Sequence, residues 1–461
     1  MKDVITMKNS QIDFGGSHLF RNCLRAALPM MAAQTLNLLY NIVDRIYIGR
    51  IEGAGALALG GVGLCFPVIM IITGFANLYG VGGAPLCSMA RGKGDRAQAE
   101  HIMNTSFRLL IMTALVITIT VLICCEPLMR LFGASDMNIG YAVSYMKIYV
   151  TGTVFIMITL GMNPFINSQG FAKTSMSTVL VGTVLNILLD PLFIFVFHMG
   201  VKGAAFATVL SQAVSCIFVF RFLLGKSPEL KLRLRDGFKI DLGTAVDIVS
   251  LGISSFVMQC TNSLVSIVCN KLLAGYGGEL YVSIMTIINS VRQILSTPSD
   301  AFCDGISPIL SFNYGAGDYK KAKKTIFFIT VLSVSYSIVA WILVIAFPKQ
   351  LLGIFSNDPE ILSFGTHAIK CYFAAFMFQT FQTCGQTVFK SLNKRKQAIF
   401  FSIFRKVIIV VPLTFFLPTL GYGAMGVFMA EPVSNVIGGL ACYTTMLFMI
   451  LPELKKQDTR I

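Results

Sequence analysis

Long apolar segments recur along the whole chain and constrain its fold more than any other feature of the sequence. Their length and hydropathy predict twelve helices that can each cross a bilayer, separated by short polar loops. The predicted spans are 24–48, 60–87, 102–125, 139–164, 175–198, 203–224, 244–273, 281–311, 325–347, 361–389, 397–417 and 424–450. Only 13% of the 461 residues are charged, whereas soluble domains have roughly 25%. We therefore predict an all-α polytopic membrane protein.

Basic residues are distributed unevenly between the two sides of the predicted bundle. The termini and the loops on their side contain 25 Lys and Arg residues, whereas the opposite loops contain six. Because basic residues mark cytoplasmic loops, we expect both termini in the cytoplasm of a multi-pass protein of the cell membrane. The net charge of +15 then reflects topology and contact with anionic lipid headgroups, so we expect no nucleic-acid partner.

The two halves of the chain repeat each other at a constant offset of 223 residues. The stretch 82–95 aligns with 305–318, and the correspondence continues without a gap to Gly200 and Gly423. The offset advances the chain by six spans, which is an even number, so both halves have the same orientation in the membrane.

This repeat predicts the domain organisation. We expect two six-helix lobes, residues 1–224 and 244–461, related by a pseudo-twofold axis along the membrane normal. The polar, cytoplasmic stretch 225–243 is expected to link them.

The motif GxGD, which is typical of intramembrane aspartyl proteases, occurs twice and ends at Asp95 and at Asp318. A protease of this kind needs two facing aspartates at membrane depth that share a proton. Both copies lie instead in basic cytoplasmic loops just before a helix, so we interpret them as glycine turns whose Asp caps the next helix. With no paired catalytic residues elsewhere in the sequence, we expect a protein that is not an enzyme and has no cofactor.

Polar side chains inside the predicted spans fall on single helical faces. In the first span the positions follow steps of three or four residues, and in the second half they recur in several spans. These positions are Gln34, Asn37, Asn41 and Asp44, with Tyr40 one turn from Asp44, then Gln259 and Asn262 in one later span and Gln379 in another. A polar face turned to lipid is unfavourable, so these faces are expected to contact other helices or a wet cavity. Interhelical hydrogen bonding is the alternative reading for many of them.

Carboxylates inside a span are candidates for function, because a charged Asp at the bilayer centre costs about 3 kcal/mol on insertion scales. Asp44, Asn186, Asp190 and Thr208 are predicted to converge in the outer half of the first lobe. Two carboxylates with neutral oxygen donors suit either Na⁺, a hard cation, or a proton held at a carboxyl group. We predict a cation-coupling site at these four residues, which is a metal site if the ion is Na⁺.

The second lobe differs at the equivalent positions. Leu413 aligns with Asp190, and Glu431 aligns with Thr208. Arg292 is the one plain mid-span cation that the sequence suggests, and Glu431, Asp300 or an anionic ligand are open as its partner.

Four segments in a fixed order carry a more specific signal: 40–49, 186–191, 200–205 and 305–317. Together with twelve spans in two repeats, they resemble the multidrug and toxic compound extrusion (MATE) family across essentially the whole chain. The resemblance implies a secondary antiporter in which influx of Na⁺ or H⁺ drives efflux of bulky, often cationic and aromatic compounds.

The resemblance also implies roles for individual residues. Asp44, Asn186, Asp190 and Thr208 match the cation site of one branch of the family, and Tyr40 matches a tyrosine of the drug site. Another branch uses acids on helices seven and ten, where this chain has only Gln259, Asn262 and Gln379. That second site is therefore not expected here.

The expected mechanism is alternating access by rocking of the two lobes around a central cavity, with the protein acting as a monomer in the lipid bilayer. The residues expected to bind the small drug-like substrate are Tyr40, Gln34, Asn37, Asn41, Gln259, Asn262, Arg292, Gln379 and Glu431. The alternative function is a lipid-linked saccharide flippase of a related fold, which would need a basic cavity for pyrophosphate.

Overall fold

The computed structural model is helical throughout most of the part that it describes. That part comprises residues 11–51, 55–225, 228–233, 240–356 and 358–459. Residues 226–227 and 234–239 of the predicted linker lie outside the described residues.

The helices follow one another with short connections. In chain order they are α1 Leu19–Gly49, α2 Gly55–Gly92, α3 Arg96–Ile123, α4 Cys125–Leu131, α5 Ile139–Thr151, α6 Thr153–Ser168, α7 Ala172–Pro191, α8 Val201–Leu223, α9 Leu242–Gly315, α10 Tyr319–Ala346, α11 Pro348–Gly353, α12 Pro359–Phe373, α13 Phe376–Ser391, α14 Arg395–Ile403, α15 Val411–Leu417 and α16 Gly423–Asp458. Wider π-helical turns occupy Leu192–Val196, Phe404–Val410 and Pro418–Tyr422. Helices suit a bilayer because every backbone N–H and C=O finds its partner within the same segment.

The number of spans agrees with the sequence prediction. Within the described residues, seven helical stretches are long and apolar enough to cross a bilayer, and two bent pairs of helices bring the number to nine. Two of the seven, Leu242–Gly315 and Arg395–Asp458, are far longer than the ~20 residues that a span needs. Positive φ angles at Gly278 and at Gly421 break these two stretches, so that each contains two spans. The polar helix α1 is the twelfth.

The predicted repeat is confirmed in the backbone. Helices α3 and α10 begin and end at positions that differ by 223 residues. The Asp95 carboxylate accepts the backbone N–H of Gln98, and Asp318 accepts that of Lys321, both at 2.9 Å. The two GxGD motifs are therefore helix caps, as predicted.

The fourth and tenth spans are bent, which the hydropathy pattern does not predict. Helices α5 and α6 meet at 57°, and α12 and α13 meet at 41°. The first bend surrounds Gly152, and the second surrounds its repeat equivalent Ala375. At Gly152 a Cβ atom would lie 2.6 Å from Val209 Cγ2, so the bend depends on close packing against α8.

The described residues group into two compact units. The first contains Ala32–Gly252 and the residues before Phe14, and the second contains Phe14–Met31 and Ile253–Ile461. The predicted lobes are 1–224 and 244–461. In the structure the first part of α1 belongs instead to the second unit, and the first part of α9 belongs to the first unit.

Close backbone packing accounts for this exchange. In the second unit Ala26 and Ala27 pack against Gly305, where a Cβ atom would lie 2.9 Å from Ala26 O. In the first unit Gly252 packs directly on the backbone of Leu78. Small residues allow helices to approach in this way, which is the usual basis of helix association in a membrane.

Residues 228–233 of the predicted linker lie against the first unit. The backbone N–H groups of Leu230 and Arg233 donate to the side chains of Gln169 (3.0 Å) and Asn104 (2.7 Å). Arg91 forms an ion pair with Glu229. Partial burial works against the charge of Glu229, but Arg91 outweighs this effect and holds the pKa of the carboxyl below its ordinary value.

Candidate cation-binding site

The polar face of α1 brings the first acid to this site. Gln34, Asn37 and Asp44 are half-buried, and the exposed Asn41 donates to Asn37 O at 2.6 Å. Asp44 lies five residues before the end of α1 at Gly49. Its Oδ1 atom is buried and has no hydrogen-bond partner in the described part of the chain.

Helix α7 contributes the second acid at its end. Asn186 and Asp190 are one turn apart, and Asn186 Nδ2 donates to Asp190 Oδ1 at 3.2 Å. Pro191 follows and cannot donate a backbone hydrogen bond, so the helix widens into the π-turn Leu192–Val196. The Asp190 side chain is completely buried.

Thr208 on α8 completes the group. Asn186 Nδ2 also lies 3.4 Å from Thr208 Oγ1, and Thr208 donates to Ala204 O at 3.0 Å. The Thr208 oxygen therefore keeps an acceptor site directed toward Asn186. The Asn186 amide joins a carboxylate and a hydroxyl from two neighbouring helices.

The two carboxyl groups face each other. Asp44 and Asp190 lie within hydrogen-bonding range, so a proton on either one can bridge them. Asp44 Oδ1, Asp190 Oδ2 and Asn186 Oδ1 are all buried acceptors without a donor among the described residues. Such oxygens are costly to bury, and a bound cation or a proton satisfies them.

Aromatic residues surround the acids, and two of them are not predicted from the sequence. Tyr40 interacts electrostatically with both Asp44 and Asp190. Tyr145 and Tyr149 of α5 are buried, stack with ring centroids 5.8 Å apart, and also interact with Asp44. Both tyrosines lie on α5, which ends at the bend to α6, and this bend is not predicted from the sequence.

The structure thus brings together Asp44, Asn186, Asp190 and Thr208, with Tyr40 beside them. The described residues contain no group of three or more His, Cys, Asp or Glu side chains that could hold a metal ion. A cation here would depend on two carboxylates and neutral oxygens, a donor set that fits Na⁺ or H⁺ better than a transition metal.

The second unit contains a buried ionic cluster in which the sequence prediction needs correction. Glu431 binds Lys406 through both carboxylate oxygens, at 2.9 and 3.2 Å, and Arg405 at 3.1 Å. Arg405 also donates to Asn435. Arg292 is therefore not the one mid-span cation, and two other cations occupy the carboxylate that was open as its partner.

Packing of this cluster inverts an arrangement of the first unit. Arg405 is the repeat equivalent of Gly182. The Arg405 side chain lies against Gly438, where a Cβ atom would be 2.7 Å from Arg405 Cγ. In the first unit Ser215, the equivalent of Gly438, fills the space beside Gly182 and donates to Thr178 O at 3.0 Å. The side chain that fills the gap belongs to a different helix in each repeat.

The other predicted residues of the second unit lie in separate places. Gln259 and Gln379 are half-buried, and the side-chain oxygen of each has no hydrogen-bond partner in the described residues. Asn262 lines the same small cavity as Arg292 and Glu431.

Comparison with known proteins gives a consistent result. The family model MatE matches the chain twice, over residues 29–192 and 254–416, once in each repeat. Multidrug export protein MepA of Staphylococcus saprophyticus is 25% identical over 436 residues, which cover 94% of this chain and 95% of that protein. The protein of the same name from Staphylococcus haemolyticus is 24% identical over 433 residues, with 94% of each chain covered.

Solved structures share the fold. A MATE protein in complex with MaL6 superposes with a TM-score of 0.89 at 24% identity, covering 95% of this chain and 97% of that one. An outward-facing multidrug resistance MATE family transporter of the MOP superfamily gives the same values. The two matches of the family model together cover well over half of the residues of this chain, so the chain belongs to the MatE family.

Proposed function

We propose that this protein is a secondary active multidrug exporter, in which entry of Na⁺ or H⁺ drives efflux of bulky, often cationic aromatic compounds by alternating access. One observation carries the proposal: Asp44 and Asp190 face each other inside the first unit, with buried oxygens that have no donor in the described part of the chain. The relatives named Multidrug export protein MepA support the substrate class. In this reading the protein is a transporter rather than an enzyme.

The carboxyl pair supplies a physical basis for coupling. Two ionised carboxylates within hydrogen-bonding range repel each other, and a cation or proton removes the repulsion. Coupling requires that the ion favours one conformation and the substrate another, because a ligand with equal affinity for both shifts nothing. Moving a two-state equilibrium from 1:99 to 99:1 requires about a 10⁴-fold difference in affinity.

We further propose substrate contacts in both units. In the first unit they are Gln34, Asn37, Tyr40 and Asn41, and in the second Gln259 and Gln379. Asn262 and Arg292 line a cavity too small for a drug-sized ligand, so we do not assign them to the substrate. The Glu431 carboxylate is already bound by Arg405 and Lys406, so we do not assign it to a cationic substrate. Replacing Tyr40 by Phe should leave transport of an aromatic dye largely intact, and replacing it by Ala should raise KM.

The membrane setting is part of the same proposal. We propose that the protein is a monomer in the cell membrane. The distribution of basic residues supports a cytoplasmic location for both termini. A lipid-linked saccharide flippase is not favoured, because the curated relatives described above are multidrug exporters.

Transport by purified protein in liposomes tests the proposal. Efflux of ethidium would be measured with a Na⁺ gradient alone and with a pH gradient alone. We expect one of the two gradients to drive efflux in the wild type, and Asp190→Asn to abolish it. The matched control is Asp136→Asn, because Asp136 is exposed and outside the site. Full gradient-driven efflux by Asp190→Asn would rule out this site.

A further inference from the structure

A small, partly open cavity with a mixed polar and apolar lining lies within the second unit, apart from the cation site. Its volume is about 30 Å³, and its lining includes Arg292, Lys406 and Glu431 together with Asn289 and Tyr372. A space of this size admits a water molecule or a small ion but no drug-sized ligand. The lining residues come from membrane-spanning helices, where bulk water does not solvate a charge.

The charges around this cavity do not balance. Arg292, Arg405 and Lys406 face one carboxylate, Glu431, whose two oxygens are already bound by Arg405 and Lys406. A neutral Lys406 would still leave two guanidinium groups for one acid, because arginine remains protonated in proteins. Net charge without a counter-charge is costly at membrane depth, so this excess needs compensation.

Arg292 is the cation of the cluster that forms no ion pair with Glu431 within the described residues. Its Nε atom is buried and has no hydrogen-bond acceptor within the described residues. The next acid on the same helix, Asp300, is eight residues away, which corresponds to about 12 Å along the helix axis. Asp300 contributes a distant favourable interaction but no contact at the cavity.

The neutral groups around Arg292 are suited to an anion. Asn289 precedes Arg292 by three residues and therefore lies on the same face of its helix. Asn289 and Tyr372 both line the cavity, and their amide and hydroxyl groups can donate N–H and O–H hydrogen bonds. Cations and neutral donors that converge on a small space form the usual pattern of an anion site.

We propose that this cavity binds a small monovalent anion, either a halide such as chloride or the carboxylate of a small solute. The first repeat has Ile69 and Gly182 where the second has Arg292 and Arg405. Divergence of the repeat thus places a cation site in one unit and an anion site in the other. This proposal does not depend on the transport activity.

The sequence offers a built-in reporter for the experiment. Trp341 is the single tryptophan of the chain, and it packs against the apolar cluster that contains Val265, Met285 and Tyr372, which also line the cavity. Purified full-length protein in detergent would be titrated at constant Na⁺ and ionic strength, with gluconate replaced by chloride or by acetate. Tryptophan fluorescence and the unfolding temperature would be recorded.

The expected result for the wild type is a saturable fluorescence change and a higher unfolding temperature in chloride, in acetate or in both, relative to gluconate. The arm that responds distinguishes a halide site from a carboxylate site. If both arms match gluconate, the proposal is wrong.

Two substitutions locate the effect. Arg292→Gln removes a cation whose Nε atom has no hydrogen-bond partner among the described residues, so the protein should fold. Its apparent anion affinity should fall at least tenfold, or about 1.4 kcal/mol. Asn289→Asp, which preserves shape, places a carboxylate at the cavity and should raise the unfolding temperature in gluconate while abolishing the anion response. The control is Lys349→Gln, which removes an exposed positive charge of the same unit.

The same variants can overturn the proposal. An anion response in Arg292→Gln equal to that of Lys349→Gln would place the anion elsewhere. An unfolding temperature of Asn289→Asp below that of the wild type in gluconate would show that the cavity does not favour negative charge.

Discussion

Replacing Asp190 by Asn should stabilise the ion-free protein while removing its response to the coupling ion. Asp44 and Asp190 lie within hydrogen-bonding range, and two unit charges 4 Å apart repel by about 4 kcal/mol at an effective dielectric constant of 20. The new amide can also donate to the unpaired Asp44 Oδ1, which contributes about 1 kcal/mol. We therefore expect the free energy of unfolding to rise by about 1–4 kcal/mol.

Unfolding in detergent provides the assay, in one series at pH 8 with Na⁺ replaced by choline and in a second series in choline buffer at decreasing pH. For the wild type, Na⁺ at a hundred times its dissociation constant should add about 2.7 kcal/mol. If the proton is the coupling ion, acidification gives the gain and Na⁺ does not. Asp190→Asn should start from a higher unfolding temperature than the wild type and should gain nothing from either ion.

Two outcomes would refute this reasoning. If Asp190→Asn is less stable than the wild type in the ion-free buffer, the carboxylates do not repel each other in the folded protein. If it keeps a wild-type response to the ion, the ion binds elsewhere. Asp136→Asn serves as the control, because it removes only an exposed ion pair with Arg130. It should change the free energy of unfolding by less than about 1 kcal/mol and leave the ion response unaltered.

Three further predictions concern stability. Asp95→Ala and Asp318→Ala each remove a helix cap and should each lower the free energy of unfolding by about 1 kcal/mol, measured by thermal unfolding. Gly438→Ala should displace Arg405 from its ion pair and cost about 1–3 kcal/mol, since its Cβ would lie 2.7 Å from the arginine chain. Glu229→Gln should change the free energy of unfolding by less than about 1 kcal/mol, because the acid is half exposed. It should nevertheless speed tryptic cleavage near 231–233.

Each of these predictions has a control. For the caps, Asp→Asn should cost less than Asp→Ala, since Asn also caps helices; equal losses would contradict a capping role. For Gly438, the same change at the unconfined Gly140 should be nearly neutral. For Glu229, unchanged cleavage would show that its pairing with Arg91 does not hold the segment in place.

The pH dependence of the Asp318 cap follows from its surroundings. Partial burial acts against its charge, but the backbone N–H and the ammonium group of Lys321 outweigh this and lower the pKa of the carboxyl. A group whose pKa is lowered on folding stabilises the protein above its unfolded pKa and loses that contribution as pH falls. The Asp318→Ala effect should therefore diminish in acid.

Hydropathy and periodicity predict much of this fold from the sequence. Twelve spans, the repeat and the two Asp caps follow from run length, a constant offset and a turn motif. The meeting of Asp44, Asn186 and Thr208 follows from helical spacing and depth. All of these patterns are local, or repeat within one chain, so they are visible without a structure.

The remaining features depend on contacts between distant segments. Nothing in a single sequence pairs Glu431 with Arg405 and Lys406, which come from another helix. A signal did exist, since those two cations interrupt the apolar run 397–417 and Glu431 needs a positive partner. The bend near Gly152, which positions Tyr149, arises from packing against Val209 and not from a helix-breaking residue.

The inverted packing of the two repeats constrains how they diverged. Arginine at 405 and serine at 438 would compete for one space, as would a larger residue at 182 beside Ser215. Neither large side chain can therefore have been added before its neighbour was small. Substitution at one position of each pair therefore depends on the residue at the other, and among present-day relatives these two sites should vary together.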